Sequence, residues 1–346
     1  MNTSNPIKFA VVGSGYIGKR HAETILANSD SELIAICDCN PQQLVESQKF
    51  GVPFFSNIDE MMHQAPHFDV LCVATPNSLH AEHALIGLDF KKHVVIEKPM
   101  ALSKSDCEKI IYKSLQVSKQ VFCVMQNRYS PPSVWIKDLV DKGKLGEIFM
   151  VQVNCYWNRD DRYYNGKTWK GKADIDGGTL FTQFSHFVDV MYWLFGDITD
   201  IHSRFKDFNH HELTEFEDSG FISFNFKSGG MGAINYSTSV WDKNMESSLV
   251  IIAENGTIKI GGQYMNQVEY CHVKDYTMPE LAPSNPPNDY GPYKGSASNH
   301  HLFYKNVIDA LKRNDTITTN ALEGLKVVEI IEKIYEQNPY FNSKKK

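Results

Sequence analysis

The sequence predicts an α/β fold in two parts. An N-terminal domain carries a parallel sheet with helices on both faces, and an α+β domain built on a large, mostly antiparallel open sheet follows it. Three observations carry this expectation. In the first 126 residues, short β-branched or apolar runs alternate with helical segments, as they do in a covered parallel sheet. After residue 127 the apolar positions alternate over longer stretches, as in strands with one buried face. A length of 346 residues suits two domains, expected at 1–126 and 127–346.

In the first part, residues 7–12, 33–37, 70–74, 94–96 and 121–125 read as buried strands. Residues 16–27, 41–50, 58–64, 78–88 and 103–118 read as helices between them, the last opened by a capping box of Ser103 and Asp106. In the second part Pro131-Pro132 opens a helix that runs to about Lys142, where Gly143 and Gly146 break it. Residues 148–157, 216–226, 231–239, 248–253 and 257–260 read as strands, and Glu254-Asn255-Gly256-Thr257 as a tight hairpin. A buried helix is expected over 178–195, a long irregular loop over 275–298, and two amphipathic helices over 299–313 and 320–337 before a Lys-rich tail.

Composition narrows the function class. Apolar residues make 42% and charged residues 22% of the chain, which excludes a disordered or fibrous protein. With 35 basic against 41 acidic residues, the net charge of −6 supplies no overall attraction to nucleic acid or to an anionic membrane. The most apolar stretch, 179–196, is interrupted by Gln183, Ser185, His186 and Asp189, so it reads as a buried helix and not as a membrane span. The polar N-terminus lacks the basic and apolar regions of a signal peptide. Seven cysteines, most within apolar runs, fit reduced thiols in a cytoplasmic protein. Aromatic residues reach 12%, divided between core and a possible binding wall.

The first functional motif is Gly13-Ser14-Gly15-Tyr16-Ile17-Gly18, which follows an apolar strand and opens a helix. Glycines at these spacings permit the tight turn, the close approach of a pyrophosphate and close helix–strand packing, while the helix N-terminus offers N–H donors. Asp38 stands 20 residues beyond Gly18, at the end of the second strand, where a carboxylate binds ribose hydroxyls. A Rossmann dinucleotide-binding domain is therefore expected. Asp38 followed by Asn40 and Pro41, with no adjacent Arg or Lys, favours NAD over NADP.

The second motif is Glu97-Lys98-Pro99 after the apolar run Val94-Val95-Ile96. The carboxyl edge of a parallel sheet is where ligands sit. A lysine held there, partly desolvated, has its pKa lowered toward the working range and can take a proton from a substrate hydroxyl.

Together with Ala74-Thr75-Pro76-Asn77, His80, and Gly177-Gly178 leading to His186 and Asp189, these motifs resemble the glucose–fructose oxidoreductase / inositol dehydrogenase / MocA family of nicotinamide-dependent oxidoreductases. The resemblance spans about residues 7–337. It implies that Lys98 and His186 are the catalytic pair in proton transfer. It also implies that Thr75, Pro76, Asn77, His80, Glu97, Lys98 and Gln126 join Gly13, Gly15, Tyr16, Ile17, Gly18 and Asp38 at the cofactor. Many members carry an aspartate four residues before the helix histidine. Here that position is Thr182, followed by Gln183, which shifts acid–base work toward Lys98.

A narrower resemblance lies in Gln126-Asn-Arg128-Tyr129, Trp157-Asn-Arg159, Arg162-Tyr-Tyr164 and Trp169-Lys-Gly-Lys172 ahead of Asp176-Gly-Gly178. It is similar to enzymes that oxidise nucleotide-linked sugars at the 3-hydroxyl, such as UDP-N-acetylglucosaminuronate dehydrogenases. Basic groups suit a diphosphate and aromatic faces suit a sugar or base. The implied substrate contacts are Lys98, Arg128, Tyr129, Arg159, Tyr164, Trp169, Gln183 and His186. Three alternatives stay open: an NAD-dependent glycosidase or lyase acting by transient oxidation, a dehydrogenase of a free sugar or polyol, and a non-catalytic NAD(H)-binding sensor. No metal is expected, because the neighbours in His210-His211 and His300-His301 point apart. A homodimer or homotetramer is implied by the family resemblance alone.

Overall fold

The computed structural model describes residues 5–164, 169–291, 293–313 and 315–342; the Lys-rich tail lies outside them. The chain divides into two compact units, one of residues 1–125 and 300–328, the other of 126–299 and 329–346. Residues 300–328 were expected in the C-terminal domain. Their place in the first unit follows from packing. Tyr304 sets its ring 5.5 Å from that of Phe9 and its hydroxyl 2.6 Å from His21 Nδ1.

In the first unit the elements run β1 (Ile7–Val12), α1 (Tyr16–Leu26), β2 (Ser31–Cys37), α2 (Pro41–Ser47), β3 (Phe54–Phe55), α3 (Ile58–Gln64), β4 (Val70–Val73), α4 (His80–Asp89), β5 (His93–Ile96), α5 (Lys104–Gln116) and β6 (Val121–Cys123). The six strands form a sheet in the order β3-β2-β1-β4-β5-β6, and every neighbour pair is parallel. This order reverses direction beside β1, which creates a crevice at the carboxyl ends of β1 and β4. β1, β4 and β5 are buried almost throughout, hence their unbroken apolar runs. The expected cap forms: Ser103 Oγ accepts the Asp106 N–H at 3.1 Å. The two-residue strand β3 escaped the sequence reading because Phe54-Phe55 is too short to show a period.

The second unit opens with α6 (Pro131–Asp141), β7 (Ile148–Tyr156) and the short α7 (Asp161–Tyr164). A π-helical turn at Leu180–Phe184 leads directly into α8 (Ser185–Phe195). Then follow β8 (Ile198–Lys206), β9 (Ser219–Phe226), β10 (Met231–Ser237), β11 (Glu246–Ala253), β12 (Gly256–Gly261) and β13 (Gln267–Val273). Seven strands form one sheet in the order β13-β12-β11-β7-β10-β9-β8. All neighbours are antiparallel except the central β7–β10 pair. The Asn255 hairpin closes β11 onto β12, with Ala253 facing Gly256.

The sequence reading missed β8 and β13, the two edge strands. Their side chains are mostly exposed, so apolar residues do not mark them. Within the expected loop 275–298, Pro287–Asp289 (β14) and Lys294–Ala297 (β15) pair antiparallel, and Tyr290 stacks on Tyr293 with centroids 5.2 Å apart. The chain continues through α9 (His300–Arg313) and α10 (Ala321–Tyr335). Among the described residues no helix is long and apolar enough to cross a membrane.

Candidate active site

The glycine-rich turn has the geometry its sequence requires. Gly13 adopts φ +86°, and a Cβ there would lie 2.5 Å from the Ala74 carbonyl oxygen. A Cβ at Gly18 would lie 1.8 Å from the Gly13 oxygen, so only glycine lets α1 pack this tightly on the turn. Gly15 is the N-cap of α1 and no side chain caps the helix, leaving first-turn N–H groups for an anion. Nothing lies within 4 Å of where a Gly15 Cβ would be, so the approach to those donors is open. Tyr16 is exposed and Ile17 half-buried at the helix start.

Asp38 sits half-buried just past β2. Its Oδ2 accepts the Ser14 N–H at 2.6 Å and its Oδ1 the Asn40 N–H at 2.8 Å. The carboxylate is thereby fixed at the mouth of the glycine turn, and these residues fit a dinucleotide. One basic group was missed: Lys19, a turn along α1, interacts electrostatically with Asp38, while burial and Lys49 lower its pKa. Lys19 precedes Asp38 in sequence, so the residues that follow Asp38 give no sign of it.

The turns after β4 and β5 are locked together. His80 places Nδ1 2.6 Å from the Pro99 carbonyl and Nε2 2.9 Å from the Thr75 carbonyl. Burial pushes its pKa below the ordinary value, although both carbonyls and Glu97 pull the other way. Thr75 Oγ1 lies 3.1 Å from His83 Nδ1, Thr75 and Pro76 are half-buried and Asn77 is buried. His80 therefore acts here as a staple between loops.

Glu97 lies beneath Lys98. Its Oε1 contacts His21 Nε2 at 2.9 Å and His300 Nε2 at 3.4 Å, and its Oε2 accepts the Lys98 N–H at 3.1 Å. These partners, most of all the two histidines, overcome desolvation and hold the carboxyl well below its usual range. The His21 ring continues to the Tyr304 hydroxyl, which stands 3.1 Å from Cys72 Sγ. Sequence reading gave Glu97 a cofactor role but could not see this buried network, because His300 and Tyr304 are about two hundred residues away. Lys98 itself is half-buried.

In the second unit, His186 is buried at the start of α8, just after the π turn. An unbroken α-helix would set Thr182, Gln183 and His186 on one face, but the π turn intervenes. The Thr182 hydroxyl instead donates to the Asp176 carboxylate and, at 2.9 Å, to the Asp176 carbonyl. A carboxylate thus stands beside Thr182, the residue four before His186. Gln183 is committed on both sides: Oε1 accepts from Arg159 Nε at 2.6 Å, and Nε2 donates to the Tyr163 hydroxyl at 2.8 Å.

The residues of the narrower motif separate into two groups. Arg128 is buried and spends its guanidinium on Asp189, with Nε–Oδ2 of 2.8 Å and Nη2–Oδ1 of 2.5 Å. Gln126 is buried, and its carbonyl accepts from Asn299 Nδ2 at 3.1 Å. Trp157 is core: it packs on Phe184 and Phe187 and donates Nε1–H to Ser247 Oγ at 2.8 Å. Arg159, Tyr163 and Tyr164 are buried, while Tyr129 and Trp169 are half-buried.

Two residues that the sequence reading had not assigned to the site, Lys170 and Tyr293, join this second group. Lys170 Nζ lies 3.4 Å from the Tyr163 ring centroid and donates to the Tyr293 hydroxyl at 3.2 Å. Tyr293 comes from the segment read as irregular, so no periodicity marked it.

Among the described residues two clusters hold metal-ligand residue types, His21–Glu97–His300 and Asp207–His210–Asp218. In both the groups bond one another, as in His210 Nδ1 to Asp218 Oδ2 at 3.2 Å.

Residues 7–124 match the family model "Oxidoreductase family, NAD-binding Rossmann fold", and residues 134–259 match "GFO/IDH/MocA C-terminal domain". The chain belongs to the GFO/IDH/MocA family. Among solved structures it is similar to the WlbA dehydrogenase of Bordetella pertussis in complex with NADH and UDP-GlcNAcA, at 31% identity and a TM-score of 0.84, covering 96% of each chain. It is also similar to the WlbA dehydrogenase of Chromobacterium violaceum with the same ligands, at 28% identity and a TM-score of 0.86, over 96% of this chain and 94% of that one. Glucose-6-phosphate 3-dehydrogenase of Bacillus subtilis is 31% identical over 54% of this chain and 53% of its own. The chain spans about half the length of the first curated relatives it matches. The family's NAD-binding fold accounts for the glycine turn and Asp38 in the first unit.

Proposed function

We propose that this GFO/IDH/MocA member is an NAD-dependent dehydrogenase that oxidises a sugar hydroxyl. The reading extends to the 3-hydroxyl of a UDP-linked N-acetyl sugar or its uronate. The observation that carries it is the placement of Lys98 at the carboxyl end of β5, in the same parallel sheet whose β1 and β2 ends bear the glycine turn and Asp38. The likeness to two dehydrogenases solved with NADH and UDP-GlcNAcA supports the finer substrate.

In this reading NAD, when bound, accepts a hydride. The chain's own residues do the remaining work. Gly13, Gly15 and the first turn of α1 receive the pyrophosphate, and Asp38 the adenosine ribose. Lys98 Nζ takes the hydroxyl proton, and His186 orients the hydroxyl or shares that proton. Glu97, anchored by His21 and His300, holds the Lys98 backbone through its N–H, so the lysine starts from a fixed main chain. The protein is expected to work as a homodimer or homotetramer.

The test is turnover with NAD against UDP-N-acetylglucosamine, its uronate, free hexoses and aryl glycosides, following nicotinamide reduction and product release together. Reduction by the nucleotide sugars is expected, and reduction by free hexoses alone overturns the finer substrate. Lys98→Met is expected to lower kcat by about 10²- to 10⁴-fold with NAD still bound. Full turnover by that variant overturns the role of Lys98.

A further inference from the structure

Glu217 is a fully buried acid just ahead of β9 in the second unit. Its carboxylate gathers neutral donors from distant parts of the chain. Oε1 accepts the Tyr236 hydroxyl of β10 and the Tyr335 hydroxyl of α10, each at 2.7 Å, and Oε2 accepts from Asn338 Nδ2 at 2.8 Å. All three partners are themselves buried. Desolvating an acid is costly even where it is hydrogen-bonded, so stability alone does not account for its presence.

What the cluster touches supplies the account. Each of the two tyrosines holds the acid with its hydroxyl and the π turn Leu180–Phe184 with its ring. The Tyr335 ring lies 5.8 Å from that of Phe181, and the Tyr236 ring 5.6 Å from that of Phe184. The Tyr335 hydroxyl also accepts the Leu180 N–H at 2.8 Å, one of the first-turn donors that a helix cannot satisfy by itself. Thr179 Oγ1 donates to the Glu217 carbonyl at 2.6 Å. Thr179, Leu180, Phe181 and Phe184 are thus all tied to one acid and its donors. His186 follows two residues beyond Phe184, buried in the first turn of α8. A π turn holds one residue more than an α turn. Its relaxation to α would rotate the residues on either side of it, relative to each other, by about 100° around the helix axis. The direction of His186 against the segment before it therefore depends on the turn being kept.

We propose that Glu217 is a positioning residue: through the Tyr236 and Tyr335 hydroxyls it keeps the π turn in register and so fixes where the His186 imidazole points. The proposal rests on the reading of His186 as the group that meets the substrate hydroxyl, and adds the part of the fold that sets it. Oε1 has only to accept two hydroxyl hydrogens, which a glutamine oxygen also does. An apolar side chain at 217, or loss of the Tyr335 hydroxyl, releases the clamp.

The experiment uses the whole NADH-loaded protein with Glu217→Gln, Glu217→Leu and Tyr335→Phe. Histidine-selective isotope labelling reads the His186 ring by NMR, with His186→Asn to assign its signal. Calorimetry reads NADH affinity, and turnover of the sugar panel above reads kcat and KM. Tyr335→Phe and Glu217→Leu are expected to displace the His186 ring signal and to lower kcat about ten- to hundredfold. NADH affinity and the sugar KM are expected to stay within about twofold, as they do when only transition-state positioning is lost. Glu217→Gln is expected to keep the wild-type ring signal and a kcat within about threefold. Tyr335→Phe carries the test if Glu217→Leu does not fold. An unmoved ring signal with wild-type kcat in Tyr335→Phe overturns the proposal. So does a loss of kcat matched by an equal loss of NADH affinity, the result of a general loosening. A displaced ring signal in a protein that turns over no sugar of the panel leaves the positioning role standing and overturns the dehydrogenase reading. Turnover by wild type with an unmoved signal in Tyr335→Phe does the reverse.

Discussion

Arg128 and Arg159 are both buried in the second unit, at 1% and 2% exposure, and the molecule treats their charges in opposite ways. Arg128 meets Asp189 through two parallel hydrogen bonds, so its charge is cancelled where it stands. Among the described residues Arg159 meets only amides, carbonyls and ring faces. Burying a charge is costly unless it is paired, and a fold that pairs one arginine has the means to pair the other. Arg128–Asp189 reads as architecture, tying the segment Gln126–Tyr129 to α8. Arg159 reads as a charge carried by neutral groups alone. Glu217 adds a third case, a buried acid with three neutral donors: Tyr236 and Tyr335 hydroxyls at 2.7 Å each and Asn338 Nδ2 at 2.8 Å. It has an escape that an arginine lacks. It can take up a proton.

The largest effect should come from breaking the paired case. Asp189→Asn keeps shape but removes the whole negative charge and one of the two acceptor oxygens facing the buried Arg128. Removal of one partner from a buried ion pair costs about 3–5 kcal/mol, read as a lowered urea midpoint. A loss below about 1 kcal/mol would show that Arg128 needs no carboxylate, and the contrast with Arg159 would collapse.

Glu217 sharpens the contrast through pH. Burial outweighs its three hydrogen bonds and raises its pKa to about 7. The unfolded chain gives up this proton near the ordinary carboxylate value while the folded chain keeps it, so folding binds a proton across that window. Stability from this group is therefore lost as pH rises from about 4.5 to about 7, by up to about 3 kcal/mol, and is level above. Glu217→Gln does not titrate. The stability of wild type relative to this variant should fall over that window, measured by urea unfolding at pH 5 and pH 8. A constant difference would mean that Glu217 stays ionised, as Arg159 does. The Tyr335 hydroxyl also accepts the Leu180 N–H at 2.8 Å, and Thr179 Oγ1 donates to the Glu217 carbonyl at 2.6 Å. The same acid therefore anchors the π turn that leads to His186.

These contrasts also mark how far the sequence could be read. The parallel sheet, the glycine turn and Asp38 were legible because each is local: a period, a spacing, a strand end. The strand-end Lys98 was legible for the same reason. What stayed hidden depends on contacts between distant residues or on residues without a period. His300 and Tyr304 reach Glu97 and His21 from the far end of the chain. Tyr293 came from a stretch with no regular pattern. The edge strands β8 and β13 were hidden because exposed strands need few apolar residues. Arg128 and Arg159 look alike in sequence, each within two residues of an aromatic side chain. Only the partner of each guanidinium distinguishes them, and no spacing rule contains that information.

The smallest effect comes from converting one case into the other. Asn244 accepts from Arg159 Nη1 at 3.1 Å and is half-buried, so Asn244→Asp places a carboxylate on the unpaired guanidinium with little change in shape. The new pair is partly solvated, which limits its stabilisation to about 1 kcal/mol or less, a rise of a few degrees at most in Tm. A thermal melt of the variant checks it. An unchanged or slightly higher Tm means that the neutral shell around Arg159 and a carboxylate serve the guanidinium about equally well. A clear fall in Tm means that the amide and carbonyl partners hold this charge better than a carboxylate does, so that Arg128 and Arg159 differ in more than the identity of one partner.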